Sequence, residues 1–356
     1  MIMGMKKYYT DAIGLLQQLV AIPSFSGEED GTAAAIVDFF RQREIPVNKH
    51  LNNIWAINKY FDEAKPTILL NSHHDTVKPD PGYTRDPFAS VIEEGKLYGL
   101  GSNDAGGALV SLIAAFCHFY DHQELRYNLV MAATAEEEIS GENGVEIILS
   151  ILPDLSFAIV GEPTQMELAI AEKGLLVLDC LATGKAGHAA REEGENALYK
   201  AIKDIEWFHN YQFPLISATL GPVKMSVTSI HTLNKAHNVV PADCNFVVDI
   251  RVNDCYTHEQ ILDTIEKNVG CAVRPRTMRM KSSGINREHP IVQAGIRMGK
   301  KTYGSPTSSD AALIPVPVLK CGPGDSARSH TADEYIFVGE IEDGIDNYIQ
   351  LLQQIL

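Results

Sequence analysis

The chain has 356 residues, of which 45% are hydrophobic and 21% charged, and a formal charge of −16. That length exceeds the size at which a single hydrophobic core keeps growing, so two domains are expected. The acidic balance argues against nucleic acid or an anionic membrane surface as a partner, and no run approaches the roughly 18 apolar residues of a membrane span.

Residues 1–11 lead directly into an amphipathic helical pattern, without the uninterrupted apolar stretch of a secretory signal. The six cysteines (Cys117, Cys180, Cys244, Cys255, Cys271, Cys321) are scattered, with no paired spacing that suggests a disulfide framework or a zinc ribbon. A reducing compartment, by default the cytoplasm, is expected. From Thr67 to Glu162 short apolar runs alternate with helical patterns, predicting strands over 67–72, 127–134 and 156–160 and a helix over 105–120. After Glu172-Lys173-Gly174 the rhythm becomes strand 175–183, helix 196–211, strand 223–231, strand 244–252, helix 258–269 and strand 271–281. That order is the β-α-β-β-α-β of a small independent domain. Thr257, with Gln260 three residues on, predicts a capping box for its second helix. From about Ser283 the first pattern resumes, with a strand over 315–321 and a closing helix over 336–356. The expected fold class is therefore α/β: a mostly parallel-sheet domain formed by residues 1–173 and 283–356, interrupted by an inserted ferredoxin-like (βαββαβ) domain at 174–282.

Acidic residues and imidazoles cluster where these strands end, at the edge where open sheets of this type bind ligands. In Ser72-His73-His74-Asp75 side chains alternate, so His73 and Asp75 share a face while His74 points away. His73 reads as a metal ligand and Asp75 as the carboxylate that orients its ring; a solvent-facing or core pair would leave the same trace. The segment Gly99-Leu100-Gly101-Ser102-Asn103-Asp104 fails as a dinucleotide fingerprint, because an aspartate occupies the third glycine position. Its glycines let the backbone fold tightly around Asp104 at the head of a helix, where a ligand and an ordinary N-cap are both possible readings. Glu136, Glu137 and Glu138 follow an apolar strand. Being adjacent, Glu137 and Glu138 must project differently, so that one can bind metal while its neighbour acts as a base. Glu162 precedes Pro163, which biases it toward extended geometry. His330 lies in a loop after the late strand. Such a set suits two divalent cations, because neutral imidazole fits zinc or cobalt and carboxylate can bridge two ions.

The motifs Ser72-His73-His74-Asp75-Thr76-Val77, Gly101-Ser102-Asn103-Asp104, Glu136-Glu137-Glu138, Gly161-Glu162-Pro163-Thr164 and Ser329-His330 resemble those of the co-catalytic zinc amidohydrolases, the family of acetylornithine deacetylase, succinyl-diaminopimelate desuccinylase, aminoacylase and glutamate carboxypeptidase. The resemblance implies a hydrolase that removes an N-acyl group from an amino acid with two Zn2+, or Co2+. His73 and Glu162 would hold one ion, Glu138 and His330 the other, and Asp104 both; Glu137 would be the general base. It also implies a cis peptide after Asp104 and an inserted domain serving as lid and dimer interface, hence a homodimer. Gly187-His188 resembles the stretch whose histidine steadies the oxyanion in the partner subunit, a turn or interface histidine being the alternative. Asn238 and Arg251 resemble the residues that clamp the substrate carboxylate, although a surface salt bridge would account for Arg251 equally. Ser308 is read as a further substrate contact. The chain departs from the family in Leu100, where arginine is usual, and in Glu136, where aspartate is usual. The triple Glu leaves open Glu136 as base with Glu137 as ligand.

Other classes have less support. A metal-free binding protein on the same scaffold leaves the ligand set unexplained. His258-Glu259-Gln260-Ile261-Leu262 begins as a single-zinc protease helix would but ends in leucine, and no Gly-x-Ser-x-Gly elbow occurs.

Overall fold

The computed structural model describes residues 2–356. The chain forms two compact units, one of Met1–Ala171, Gly284–Tyr303 and Ser309–Leu356, the other of Glu172–Ser283 and Gly304–Ser308.

The larger unit is organised by a nine-stranded sheet. At its centre Asn128–Thr134, Thr67–His73, Leu155–Val160 and Val318–Lys320 run parallel, while Asn53–Ile57 joins Asn128–Thr134 antiparallel. Every residue of Thr67–His73 and of Asn128–Thr134 is buried, as expected of strands covered on both faces. Alternation sorts their side chains between two cores. Ile68, Leu70, Leu129 and Met131 pack with Leu16, Leu109, Phe116, Ile345 and Tyr348 from the helices Ile2–Val20, Gly107–Phe119 and Val338–Gln353. Leu69, Val130, Ala158 and Val160 pack on the other side with Trp55, Val145, Ile148 and Ile314. Tyr348 also donates its hydroxyl to the Cys321 carbonyl. The register aligns His73 with Thr134 and sets Asn71 and Lys320 beside Val160. The loops that leave these strand ends therefore open at one edge of the sheet.

The smaller unit runs strand Gly174–Thr183, helix Ala197–Asn210, strands Lys224–His231 and Asp243–Val252, helix His258–Glu266 and strand Ala272–Pro275. All its main pairings are antiparallel, with both long-range neighbours of Gly174–Thr183 coming from later in the chain. Leu176, Leu178, Phe246, Val248 and Ile250 face Ala201, Phe208, Ile261 and Ile265 of the two helices. Both bonds of the Thr257 capping box are present, Gln260 N–H to Thr257 Oγ1 at 3.3 Å and Thr257 N–H to Gln260 Oε1 at 2.9 Å.

Three elements differ from the periodicity, one of them the strand expected over 271–281, which is regular only at Ala272–Pro275. The strand expected over 315–321 is regular only at Val318–Lys320, because Pro315 and Pro317 have no N–H to give a ladder; Pro317 contributes its carbonyl to Ala158 N. The closing helix starts at Val338, and Tyr335–Phe337 pairs instead as a strand with Lys96–Tyr98. The aromatic alternation of Tyr335 and Phe337 favours that pairing, with the Tyr98 and Tyr335 rings 5.5 Å apart.

Candidate metal centre

His73 ends a central strand and is 1% exposed. Its Nδ1 lies 3.0 Å from the Asp75 carbonyl oxygen and 3.3 Å from Asp75 Oδ1. Its Nε2 makes no hydrogen bond, yet it has three carboxylates around it: Asp104 Oδ1 at 3.4 Å, Glu162 Oε1 at 3.8 Å and Glu137 Oε2 at 4.0 Å. His74 turns the opposite way, its ring held between Thr32 Oγ1 and the Asn52 carbonyl at 2.9 Å each. The Asp75 carboxylate does more than orient a ring. It accepts the Ser26 hydroxyl at 2.6 Å and the backbone N–H groups of Glu137 and Glu138 at 3.1 Å each.

Asp104 follows a loop whose tight turn requires glycine. Gly101 has φ 75°, and a Cβ there would come within 2.5 Å of Thr76 Cγ2. The Asp104–Ala105 peptide is cis. Asp104 does not cap the following helix, whose N-cap position is Gly106 and has no side-chain cap. Instead its two oxygens face two imidazoles: Oδ1 the His73 Nε2 at 3.4 Å, Oδ2 the His330 Nε2 at 3.6 Å. His330 is half-exposed and its Nε2 also lies 3.0 Å from Glu138 Oε2.

The three consecutive glutamates diverge at a turn. Glu136 has φ 56° and its carboxylate accepts Asn143 N–H at 3.1 Å and Asn143 Nδ2 at 3.0 Å, away from the imidazoles. Glu137 turns toward His73 and Glu138 toward His330. Ligand atoms of His73, Asp104 and Glu138 all fall within 4.8 Å of one another.

The electrostatics follow from burial and crowding. Burial pushes the Glu137 carboxyl well above the ordinary range, and Glu162, Asp310 and Glu138 add to this against the opposing charge of His73. Burial alone would lower the His73 imidazole, but Asp104 and Asp75 outweigh it and hold the pKa above its usual value. Asp104 is held low although burial opposes this, through His73, Ser329 and His330. His330 is raised to about 9, chiefly by its bond to Glu138. Four carboxylates around two imidazoles, with a buried ring nitrogen lacking a hydrogen-bond partner, fit divalent cations: each cation would replace protons that the cluster otherwise retains.

Sequence reasoning missed two acids. Asp310 is buried, accepts Asn71 Nδ2 at 2.9 Å and Thr134 Oγ1 at 2.7 Å, and is pushed up to about 6 by burial. Glu334 is 2% exposed and accepts three backbone N–H groups from the Asp104 loop. The only signal for Glu334 was its place four residues after His330.

The remaining candidates belong to the smaller unit. His188 is exposed in a two-residue strand, Gly187–His188, paired with Val239–Val240, and its Nδ1 accepts the Ala190 N–H at 3.1 Å. The Asn238 carbonyl accepts Ala189 N–H at 2.9 Å. Arg251 forks onto Asp249 at 2.8 and 3.0 Å, and Ser308 donates to the Lys173 carbonyl at 2.7 Å.

The chain is 28% identical over 378 aligned positions to acetylornithine deacetylase of Proteus mirabilis, covering 96% of each chain. Its match to succinyl-diaminopimelate desuccinylase 2 of Ruegeria sp. is 29% identical over 223 positions, 59% of this chain and 56% of that one. Its fold is similar to that of an M20 family metallo-carboxypeptidase from Sulfolobus solfataricus, with a TM-score of 0.77, 17% identity, and coverage of 98% of this chain and 99% of that one. The family model for peptidase family M20/M25/M40 matches residues 69–354. The chain belongs to that family and is a metal-dependent amidohydrolase.

Proposed function

We propose that this M20-family chain is a two-zinc deacylase, with cobalt able to substitute, that removes the N-acyl group of an amino acid, N-acetylornithine being the leading substrate. The observation that carries the reading is the Asp104 carboxylate, whose two oxygens lie 3.4 and 3.6 Å from the Nε2 atoms of two different histidines. An oxygen at each imidazole is the arrangement by which one carboxylate serves two ions. His73 and Glu162 would complete one set of ligands, Glu138 and His330 the other. The ornithine assignment rests on the similarity to acetylornithine deacetylase over 96% of both chains.

Two bound divalent cations would supply an acidified water and a polarised amide carbonyl. The chain's own groups then have distinct tasks. Glu137, turned toward His73, takes the proton from the attacking water and delivers it to the departing amine nitrogen. Asp75 keeps the Glu137–Glu138 turn in place through its two backbone bonds. His188 would steady the oxygen that gains charge. Arg251, with N–H groups beyond those on Asp249, would hold the substrate carboxylate together with Asn238 and Ser308. A homodimer through the smaller unit accords with its exposed Tyr199, Ile202 and Leu233. A cytoplasmic setting accords with six free cysteines. Among the described residues no helix is long and apolar enough to cross a membrane.

Steady-state rates over N-acetyl and N-succinyl amino acids and short dipeptides, with bound metal quantified, test the assignment. N-acetylornithine is expected to have the highest kcat/KM. A preference for N-succinyl substrates would move the assignment to a desuccinylase, and cation-replete protein that cleaves none of them would end the deacylase reading. His330→Ala is expected to retain one of two cations, measured by metal analysis after gel filtration; two retained would remove His330 from the ligand set.

A further inference from the structure

We infer that Glu334 is a positioning residue, one that aims Asp104 at both cations by gathering the backbone amides of the loop in front of it. Glu334 Oε1 accepts the N–H of Asn103 at 2.8 Å and of Asp104 at 2.9 Å, and Oε2 accepts the N–H of Gly101 at 3.1 Å. Its own carbonyl oxygen accepts the N–H of Gly99 at 2.9 Å. A single buried residue therefore fastens the loop from Gly99 to Asp104 at four amides.

The need for such a fastening comes from the loop itself. Gly99 and Gly101 allow the turn, and the same freedom gives the segment little rigidity of its own. Asp104 has a short side chain, so the direction of its carboxylate is decided by its backbone. Each oxygen must meet a different imidazole, and a displacement approaching an ångström would spoil one of the two contacts. Once the carboxyl is ionised, as neighbouring cations would favour, three N–H groups converging on it are charge-assisted hydrogen bonds in a water-poor setting, stronger than neutral ones. Glu334 also lies on the segment that supplies His330, four residues earlier. One short stretch thus contributes a ligand to one cation and aims the carboxylate shared by both. Asp75 acts on Glu137 and Glu138 in the same way, through two amides. Neighbouring Asp333 binds a different loop, at Thr84 and Arg85.

The inference rests on Asp104 serving two cations, and the experiment keeps the two ideas apart. Two bound ions in the unsubstituted protein, counted by calorimetric titration with Co2+, test the first. Glu334→Gln, which keeps the size and one acceptor oxygen, tests the second, with Asp333→Asn as the control on the same segment. Glu334→Gln is expected to bind Co2+ about 10–100-fold more weakly at one or both sites. Its cobalt visible absorption spectrum should shift, and kcat should fall while KM changes little; Asp333→Asn should match the unsubstituted protein in affinity and spectrum. Glu334→Ala, if it folds, should show a larger loss. Unaltered cobalt affinity and spectrum in Glu334→Gln would overturn the inference, as would an equal loss in Asp333→Asn, which would show general loosening of the segment. An unsubstituted protein that binds fewer than two ions would remove the premise and the inference with it.

Discussion

Glu137→Gln is expected to keep both cations and to lose about 10²–10⁴-fold in kcat. The amide is nearly the shape of the carboxylate, so the packing around the site is preserved, but it can neither take a proton from water nor return one to the leaving nitrogen. The structure favours Glu137 over its neighbour for this task because Glu137 Oε2 lies 4.0 Å from His73 Nε2, inside the cluster. Glu136 has both carboxylate oxygens on Asn143. Glu136→Gln should therefore cost stability in the 136–143 turn and little activity. Metal analysis and single-turnover rates on the two variants decide the matter. If Glu136→Gln is the inactive one, the base moves to Glu136 and Glu137 becomes a ligand.

Removing the cations is expected to abolish activity and to reverse the dependence of stability on pH. Without them Glu334 is pushed up to about 8 and Asp310 to about 6, in both cases chiefly by burial, and Glu137 is also raised. Between about pH 5 and pH 8 the folded state then holds protons that the unfolded chain has released, so stability is lost as pH rises. His330, raised to about 9, and His73 act in the same direction, since the folded state keeps their protons above the ordinary imidazole pKa. Asp75 and Asp104 are held low; their contribution is already complete at the acid end of this window and stays flat across it. Cation binding has the opposite slope, because deprotonated ligands bind more tightly and bound metal stabilises the fold, by about 2.7 kcal/mol at a hundredfold excess over Kd. Scanning calorimetry should thus show Tm falling with pH in chelator and rising with pH in added Zn2+. Equal slopes in both conditions would mean that the clustered acids are not where the cations bind.

Several features of this site were legible in local pattern. Two-residue alternation was enough to put His73 and His74 on opposite sides of a strand, and the contacts of His74 with Thr32 and Asn52 show that separation. The glycines around Asp104 announced a tight turn there. The turn then proved to present Asp104 to two histidines in place of capping a helix. The triple glutamate defeated local reasoning, since three like residues in a row carry no mark of which one turns inward. In the structure Asn143 holds the Glu136 carboxylate away from the imidazoles. The closing helix expected from 336 begins two residues later because Ile336 and Phe337 join Tyr335 in a strand too short for periodicity to mark, and its partner at Lys96–Tyr98 lies far back in the chain.

By itself the sequence determined the alternation of strands and helices, the parallel sheet and the kinds of acidic and imidazole side chain gathered at its edge, because burial on one face or two imprints a period on neighbouring residues. Tertiary structure alone decided where those side chains aim. Glu334 meets the Asp104 loop across more than 200 residues of chain, and Asp75 meets the Glu137–Glu138 turn across about 60. The direction of a carboxylate is set by the backbone that carries it and by the amides that hold that backbone, and neither leaves a trace in the residues on either side.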